Sequence, residues 1–274
     1  MTDHISRAVH TEPALPFPEP SFTVRRERCR QQSGSERTLA AVPLSVWLSQ
    51  PLTGCCRVCL EPVSAACAQR LPLALAVQIT EAFSRPGEVV FAPDAGNASL
   101  LIGPASCGRK VYGLVRGSDH GHRVHDRITT HSTEVASLAV IRTAPGGDAL
   151  RMQSRRITGR AALAILAPHN PTTPGELAAL LDAAQRALRP GGVVVLCARQ
   201  TSGQDNAGVL TAHAQSAGFR YLQHIAAVEA APDGDRLLPV PDLTDHGPDC
   251  TCTPGRGSTG HHQIVHNDLL AFTK

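Results

Sequence analysis

The sequence predicts an α/β fold in which a mostly parallel sheet is covered by helices on both faces. Four short segments are apolar throughout, which is typical of strands buried on both sides, and helical patterns lie between them. Two further apolar segments follow the last helix and predict a C-terminal antiparallel hairpin at one edge of the sheet. The four parallel strands are expected at 89–92, 111–115, 161–166 and 193–197, and the hairpin strands at 221–228 and 264–272.

The first half of the chain contains a predicted strand–helix–strand unit, preceded by another helix. Residues 71–83 have a helical apolar pattern with Pro72 in the first turn, and the sequence Arg-Pro-Gly at 85–87 ends that helix. After the first strand, a turn at 93–97 leads into a helix over 99–102, whose length is limited by Pro104. This order of elements is that of a βαβ unit.

The second half repeats the alternation of helix and strand. Apolar residues at Leu177, Leu180, Leu181, Ala184 and Leu188 lie on one face of a helix. The segment 189–192, Arg-Pro-Gly-Gly, is expected to end that helix before the next strand. A further helix is expected at 209–217, and a Pro/Gly-rich loop at 231–260 separates the two final strands.

The segment 116–160 has the weakest pattern. It contains a predicted strand at 138–142 and the histidines His120, His122 and His125 in a polar, glycine-containing stretch. Solvated histidines are favoured over a ligand set. Arg151, Arg155, Arg156 and Arg160 form a basic stretch before the strand at 161–166, for which a solvated face is favoured over contact with phosphates.

Composition limits the class of protein. The chain has 274 residues, of which 42% are hydrophobic, so it can form a buried core. No apolar run reaches the roughly 18 residues of a membrane helix, and the first twenty residues lack the apolar core of an export signal. We therefore expect a soluble, cytoplasmic protein. The net charge of +3 neither requires nor excludes a nucleic-acid partner.

Residues 1–38 differ in composition from the rest of the chain. They contain several prolines, four arginines between 25 and 30, and the polar run QQSGSER. Such a segment buries too little apolar surface to offset its ordering entropy. The sequence therefore predicts a disordered leader at 1–38 and a single domain at 40–274, with weak contact to an anion as the alternative role of the leader.

The cysteine pattern argues against a disulfide framework. The cysteines number nine, an odd count, and no export signal precedes them. Cys55, Cys56, Cys59 and Cys67 are the cluster with ligand-like spacing. Because no second C-x-x-C completes a tetrahedral zinc site, no metal site is predicted.

Four segments of the chain match motifs of a known family. Residues 85–99 read RPGEVVFAPDAGNAS, residues 188–192 read LRPGG, residues 42–47 read VPLSVW, and residues 266–272 read HNDLLAF. They resemble, in this order, the R-P-G-D-x-V-x-D-P-x-x-G-x-G-T segment, the segment before the fifth strand, the opening segment and the closing H-E-D-V-L-V-F strand of class I S-adenosylmethionine-dependent methyltransferases, and within them of the DNA amino-methyltransferases. The resemblance covers about 42–274 and implies a Rossmann-like methyltransferase fold with S-adenosylmethionine as cofactor and DNA as partner.

The cofactor positions that the resemblance implies are Ala92, Pro93, Asp94, Gly96, Asn97 and Val115. Ala92 occupies the place of an acid that holds the methionine end of the cofactor, and Asp94 follows two residues later. Val115, followed by Arg116, occupies the place of the acid that binds both ribose hydroxyls. Gly96 matches the first glycine of the family's turn, whereas Asn97-Ala98 replaces the second. For Asp94 considered by itself, the N-cap of the next helix is favoured over a ligand.

The catalytic positions depart further from the family's D/N/S-P-P-Y. They are Ala167, Pro168, His169 and Asn170. Ala167 has no side chain to accept a hydrogen bond from the target amine, and Asn170 has no ring to stack on a flipped base. Three functions remain open: an impaired relative that keeps weak cofactor or DNA binding, an active methyltransferase using Asp94, His169 or Asn170, and a non-enzymatic protein-binding scaffold.

Overall fold

The computed structural model describes residues 46–49, 71–96, 98–168, 172–199, 206–233, 236–239 and 266–274. The chain divides between Val42 and Pro43 into two units, and every described residue lies in the second. The predicted leader and the cluster of Cys55, Cys56, Cys59 and Cys67 therefore lie outside the described residues.

Strands and helices alternate along most of the described chain. The strands are β1 (Val46–Ser49), β2 (Val89–Ala92), β3 (Lys110–Val115), β4 (Ala139–Thr143), β5 (Ala161–Leu166), β6 (Leu188–Arg199), β7 (Arg220–Asp233), β8 (Arg236–Pro239) and β9 (His266–Thr273). The helices are α1 (Leu73–Phe83), α2 (Ser99–Ser106), α3 (Ser118–His131), α4 (Thr133–Ser137), α5 (Gly147–Ser154), α6 (Pro174–Ala187) and α7 (Asn206–Ser216). A 3-10 turn, Arg155–Ile157, follows α5.

One sheet contains the strands in the order β1-β7-β9-β6-β5-β2-β3-β4, with β8 paired to β7. The neighbours from β6 to β4 are all parallel, which confirms the four predicted parallel strands as members of one sheet. The chain leaves β2 toward β3 and β4 and later returns to the other side of β2. This reversal of strand order creates a crevice at the carboxyl ends of the strands, where ligands bind in open α/β sheets.

The two final predicted strands pair antiparallel, but the prediction that they form an edge is wrong. β9 lies between β6 and β7, and β1, which the sequence pattern does not predict as a strand, pairs parallel with β7. The predicted loop at 231–260 also begins too early, because the end of β7 pairs with β8 in a hairpin. An apolar pattern identifies a strand but does not specify its neighbours.

Helix α3 is the largest helix that the sequence pattern missed. Its buried residues are Val124 and Ile128, one turn apart. His122 and His125 are exposed as expected, whereas His120 is half-buried. One apolar pair is sufficient to pack a helix against the sheet, but it is too short a pattern to identify the helix.

The end of α6 also differs from the prediction. The helix ends at Ala187, and residues 188–199 form β6, so the segment 189–192 is strand and not a helix stop. Gly191 adopts a φ of 72°, a left-handed conformation that glycine allows at low cost.

Two apolar layers enclose the sheet. On one face, α1 to α4 pack around a cluster that includes Leu75, Leu101 and Ile165. On the other, α5 to α7 pack around a cluster that includes Phe91 and Leu181. No helix in the described part of the chain combines the length and the hydropathy needed to cross a membrane.

Candidate cofactor pocket

A cavity of about 220 Å³ opens at the carboxyl ends of β2, β3 and β4. Its walls come from the segments that follow these strands, from the first turn of α5 and from the first two turns of α6. The lining residues are Pro93, Asp94, Val115, Arg116, Ala144, Pro145, Gly146, Gly147, Leu150, Gly175, Glu176, Ala179 and Leu180. Because β2 borders the reversal of strand order, the cavity lies where this fold class places its ligands.

Backbone hydrogen bonds beyond the strand ends hold the cavity walls side by side. The Ala95 N–H donates to the Leu114 carbonyl at 2.7 Å, and the Ala144 N–H donates to the Val115 carbonyl at 2.7 Å. A Cβ at Gly113 would lie 2.5 Å from Leu101 Cδ2 and 3.3 Å from Ala95 Cβ. Glycine at 113 therefore lets α2 and the turn after β2 approach β3 closely.

Arg116 bridges two carboxylates at the cavity. Its Nη2 donates to Asp94 Oδ2 at 3.1 Å, and its Nη1 donates to Glu176 Oε1 at 2.9 Å. The Asp94 side chain is 5% exposed, whereas the Arg116 side chain is 52% exposed. Burial alone lowers the pKa of Arg116, but the two carboxylates outweigh burial and raise that pKa above its usual value. With one guanidinium and two carboxylates, the three groups carry a net charge of −1.

Glu176 is fixed by the N-terminus of α6. Its Oε2 accepts the Thr173 N–H and the Thr173 hydroxyl, both at 2.9 Å, and the Glu176 N–H donates to Thr173 Oγ1 at 3.3 Å. This is a capping box. The Thr173 hydrogen bonds, followed by the charge of Arg116, lower the pKa of Glu176. One carboxylate oxygen of Glu176 thus caps the helix, and the other accepts the hydrogen bond from Arg116.

The structure brings some of the predicted cofactor residues to the cavity. Pro93, Asp94 and Val115 line it, whereas Ala92 is fully buried within β2. Gly96 is half-buried and outside the cavity wall, and Asn97 lies outside the described residues.

The interpretation of Asp94 as the N-cap of the next helix is wrong. The N-cap of α2 is Ala98, which makes no side-chain capping bond. The Asp94 carboxylate instead pairs with Arg116, which approaches from the end of β3.

The predicted catalytic segment follows β5 at the same edge of the sheet. Ala167 and Pro168 are half-buried, and Ala167 packs against the cluster beneath α1 to α4. Neither residue lines the cavity. His169 and Asn170 lie outside the described residues, so their roles stay predictions.

Sequence reasoning missed the contribution of Glu176 and a second polar group on β7 and β9. The available signal for Glu176 was the T-x-x-E capping pattern at 173–176.

In the polar group on β7 and β9, His224 Nε2 lies 2.7 Å from Asp268 Oδ1, and His266 Nε2 lies 3.7 Å from the same oxygen. Within the described ranges, no set of three or more His, Cys, Asp or Glu residues has the arrangement of a metal site.

Comparison with known proteins gives structural similarity without sequence similarity. No family model matches the chain, and no curated protein matches it. A precorrin-6y C5,15-methyltransferase from Geobacter metallireducens superposes with a TM-score of 0.50 at 12% identity, over 75% of this chain and 90% of that one.

Two other solved structures are similar at lower scores. A TehB-like S-adenosylmethionine-dependent methyltransferase from Corynebacterium glutamicum has a TM-score of 0.46 at 12% identity, over 73% of this chain and 86% of that one. The Burkholderia thailandensis 1,6-didemethyltoxoflavin N1-methyltransferase, with bound S-adenosylhomocysteine, has a TM-score of 0.45 at 13% identity, over 74% and 77%. Together with the strand order, the similarity to the Geobacter enzyme shows that this chain has the Rossmann-like α/β fold of class I methyltransferases.

Proposed function

We propose that the chain binds the adenosyl part of S-adenosylmethionine weakly in the cavity at the ends of β2, β3 and β4, and does not transfer its methyl group to DNA. On this proposal it is a catalytically impaired relative of the DNA amino-methyltransferases. The observation that carries the proposal is the network of Asp94, Arg116 and Glu176, which places two carboxylates in the cavity wall.

The chemistry of the cavity fits a nucleoside. Carboxylate oxygens accept hydrogen bonds from ribose hydroxyls, and Asp94 and Glu176 supply such oxygens. Ala144, Leu150 and Leu180 provide apolar wall for a purine ring. The net negative charge of the network also favours a ligand with a positively charged sulfonium.

The same cavity does not fit the whole cofactor tightly. Its volume of about 220 Å³ is below the roughly 300–1,000 Å³ of common small-molecule sites. Arg116 already occupies one oxygen of each carboxylate. Val115 and Ala92 offer no side-chain acceptor, and each lost hydrogen bond to a charged group costs about 1.5–3 kcal/mol, or about 10–100-fold in affinity. Binding is therefore expected to be weak.

The described residues directly after β5, Ala167 and Pro168, give no support for methyl transfer to a base. S-adenosylmethionine, when bound, supplies an activated methyl group on its sulfonium. Ala167 cannot accept a hydrogen bond from a target amine, and it packs into the apolar layer. Alignment of two bound reactants contributes up to about 7–11 kcal/mol to catalysis, so an unheld base forfeits much of the rate.

Calorimetric titration of the full chain with S-adenosylmethionine and S-adenosylhomocysteine tests the binding proposal. We expect weak, saturable binding of both, reduced at least threefold by Glu176→Gln. Glu134→Gln, at an exposed residue of α4 that does not line the cavity, is the matched control and should leave binding unchanged. Thermal unfolding of each variant separates loss of binding from loss of fold. A folded chain that binds neither ligand contradicts the proposal and favours the protein-binding scaffold.

Transfer of labelled methyl to mixed duplex and single-stranded DNA tests the catalytic part. We expect no label in DNA above background. Label that disappears in Asp94→Ala or His169→Ala would contradict impairment and support an active enzyme with displaced catalytic groups.

A further inference from the structure

The amino ends of the parallel strands form the edge of the sheet opposite the cavity, and this edge is rich in arginine. The loops that precede β2 and β5 and the first residues of β6 and β7 lie there. The exposed basic residues of these segments are Arg85, Arg155, Arg156, Arg160, Arg189 and Arg220. In the whole chain, all but two of the lysines and arginines are arginine.

Hydrogen bonds between the loops make this edge one continuous surface. The Gly159 N–H donates to the Arg186 carbonyl and the Arg160 N–H to the Ala187 carbonyl, both at 2.9 Å. Lys274 Nζ donates to the carbonyls of Gln185 at 2.5 Å and Leu188 at 2.7 Å. Arg220 lies beside the same chain end, because it pairs with Thr273 in the sheet.

Two carboxylates near this edge, those of Glu88 and Asp182, are already paired with arginines. Glu88 contacts Arg189 at 2.6 Å, and Asp182 pairs with Arg186. Burial raises the pKa of Glu88, but hydrogen bonds from the Arg85 N–H and the Arg189 side chain outweigh burial and lower that pKa.

Four arginines on this edge remain without a counter-charge within the described part of the chain. Arg155, Arg156, Arg160 and Arg220 make no ion pair with a described residue. Three of them lie within six consecutive positions, 155–160. The edge therefore presents a concentrated positive field to solvent.

We infer that this arginine edge, defined by Arg155, Arg156, Arg160 and Arg220, binds the phosphate backbone of nucleic acid. The guanidinium group binds phosphate through two parallel hydrogen bonds and keeps its charge at all working pH values. Because these arginines lie on separate segments of the chain, they fit an extended polyanion better than one small anion.

This surface is separate from the cavity. Helix α5 begins at Gly147, which lines the cavity, and ends at Ser154, directly before Arg155. Its eight residues span about 12 Å. Nucleic acid bound at the arginine edge is therefore not presented to the cavity, and its affinity is independent of S-adenosylhomocysteine.

Fluorescence polarisation with labelled 30-nucleotide single-stranded and duplex DNA, measured over a range of salt concentrations, tests this inference on the full chain. The edge variant is Arg155→Gln/Arg156→Gln/Arg160→Gln. The charge-matched control is Arg123→Gln/Arg127→Gln/Arg142→Gln, on α3 and β4. The edge variant should lose at least tenfold in affinity at low salt, and its salt slope should fall by about two to three, since each phosphate contact contributes about 0.9.

The control variant should keep the affinity and slope of the parent chain, and saturating S-adenosylhomocysteine should change neither. Equal losses in the two variants, or no loss in the edge variant, would overturn the inference, because net charge or the arginines between 25 and 30 would then carry binding. Vesicles containing phosphatidylserine form the second arm. Loss of vesicle binding with retention of DNA binding in the edge variant would assign the surface to a membrane and also overturn the inference.

Discussion

Replacing Arg116 with methionine tests whether Arg116 stabilises the fold by neutralising a buried carboxylate. Arg116 Nη2 lies 3.1 Å from Asp94 Oδ2, and the Asp94 side chain is almost completely buried. Methionine keeps much of the apolar stem of arginine and removes its charge. The substitution therefore leaves Asp94 buried without its cationic partner.

The expected loss of stability lies between the values measured for exposed and for buried ion pairs. Exposed pairs contribute about 0.2–1 kcal/mol, whereas removing one partner of a fully buried pair costs about 3–5 kcal/mol. Because Arg116 is half-exposed, solvent screens the pair, and we expect a loss of about 1.5–3 kcal/mol, the value of a hydrogen bond to a charged group. Asp94→Asn should cost less than Arg116→Met, since Arg116 keeps Glu176 and water as partners. The double variant Arg116→Met/Asp94→Asn should recover most of the loss.

Urea unfolding followed by circular dichroism at pH 7 measures the loss of stability in each variant. A single variant within about 0.5 kcal/mol of the parent, or a double variant as unstable as Arg116→Met, would show that Arg116 does not stabilise the fold through Asp94.

Three other predictions concern packing, pH and thiol reactivity. Gly103→Ala should destabilise the fold by about 1–3 kcal/mol, because the new Cβ would lie 2.8 Å from Ala76 Cβ in α1. The control Gly175→Ala, which has open space at its site, should be neutral or stabilising. Equal shifts of the two variants in urea unfolding would contradict this. Glu88 and Glu176 have lowered pKa values, so the stability they supply should be present above about pH 4.3 and lost as pH falls through their lowered values. Glu88→Gln and Glu176→Gln should flatten that acid-induced loss in urea unfolding, and an unchanged slope would argue against both assignments. Burial raises the pKa of the Cys197 thiol, so iodoacetamide mapping should find Cys197 labelled only after unfolding; labelling in the native chain would contradict its burial.

The parallel core of the sheet could be predicted from the sequence because its strands are continuous apolar runs separated by helices. β3 and β5 illustrate this, because each is buried along almost its whole length. The position of β9 between β6 and β7 could not be predicted, because apolar patterning does not encode strand order. Helix α3 was missed because Val124 and Ile128 are its buried residues, and two positions do not establish a helical period.

The site could be predicted only in part. The resemblance drew attention to Asp94 and Val115, and both line the cavity. The arrangement around Asp94 depends on tertiary structure, because Arg116 is 22 residues away and Glu176 lies a further 60 residues along. A capping pattern predicts where one oxygen of Glu176 points, but the contact of the other oxygen requires α6 to lie beside the end of β3.

A crystal structure of the chain grown with saturating S-adenosylhomocysteine would locate the proposed cofactor site. We expect electron density for the adenosyl group in the cavity between α5 and α6, with a ribose hydroxyl within hydrogen-bond distance of Asp94 or Glu176. Density for the ligand elsewhere on the protein, or an empty cavity at a ligand concentration that saturates binding in solution, would contradict the assignment of this cavity to the cofactor.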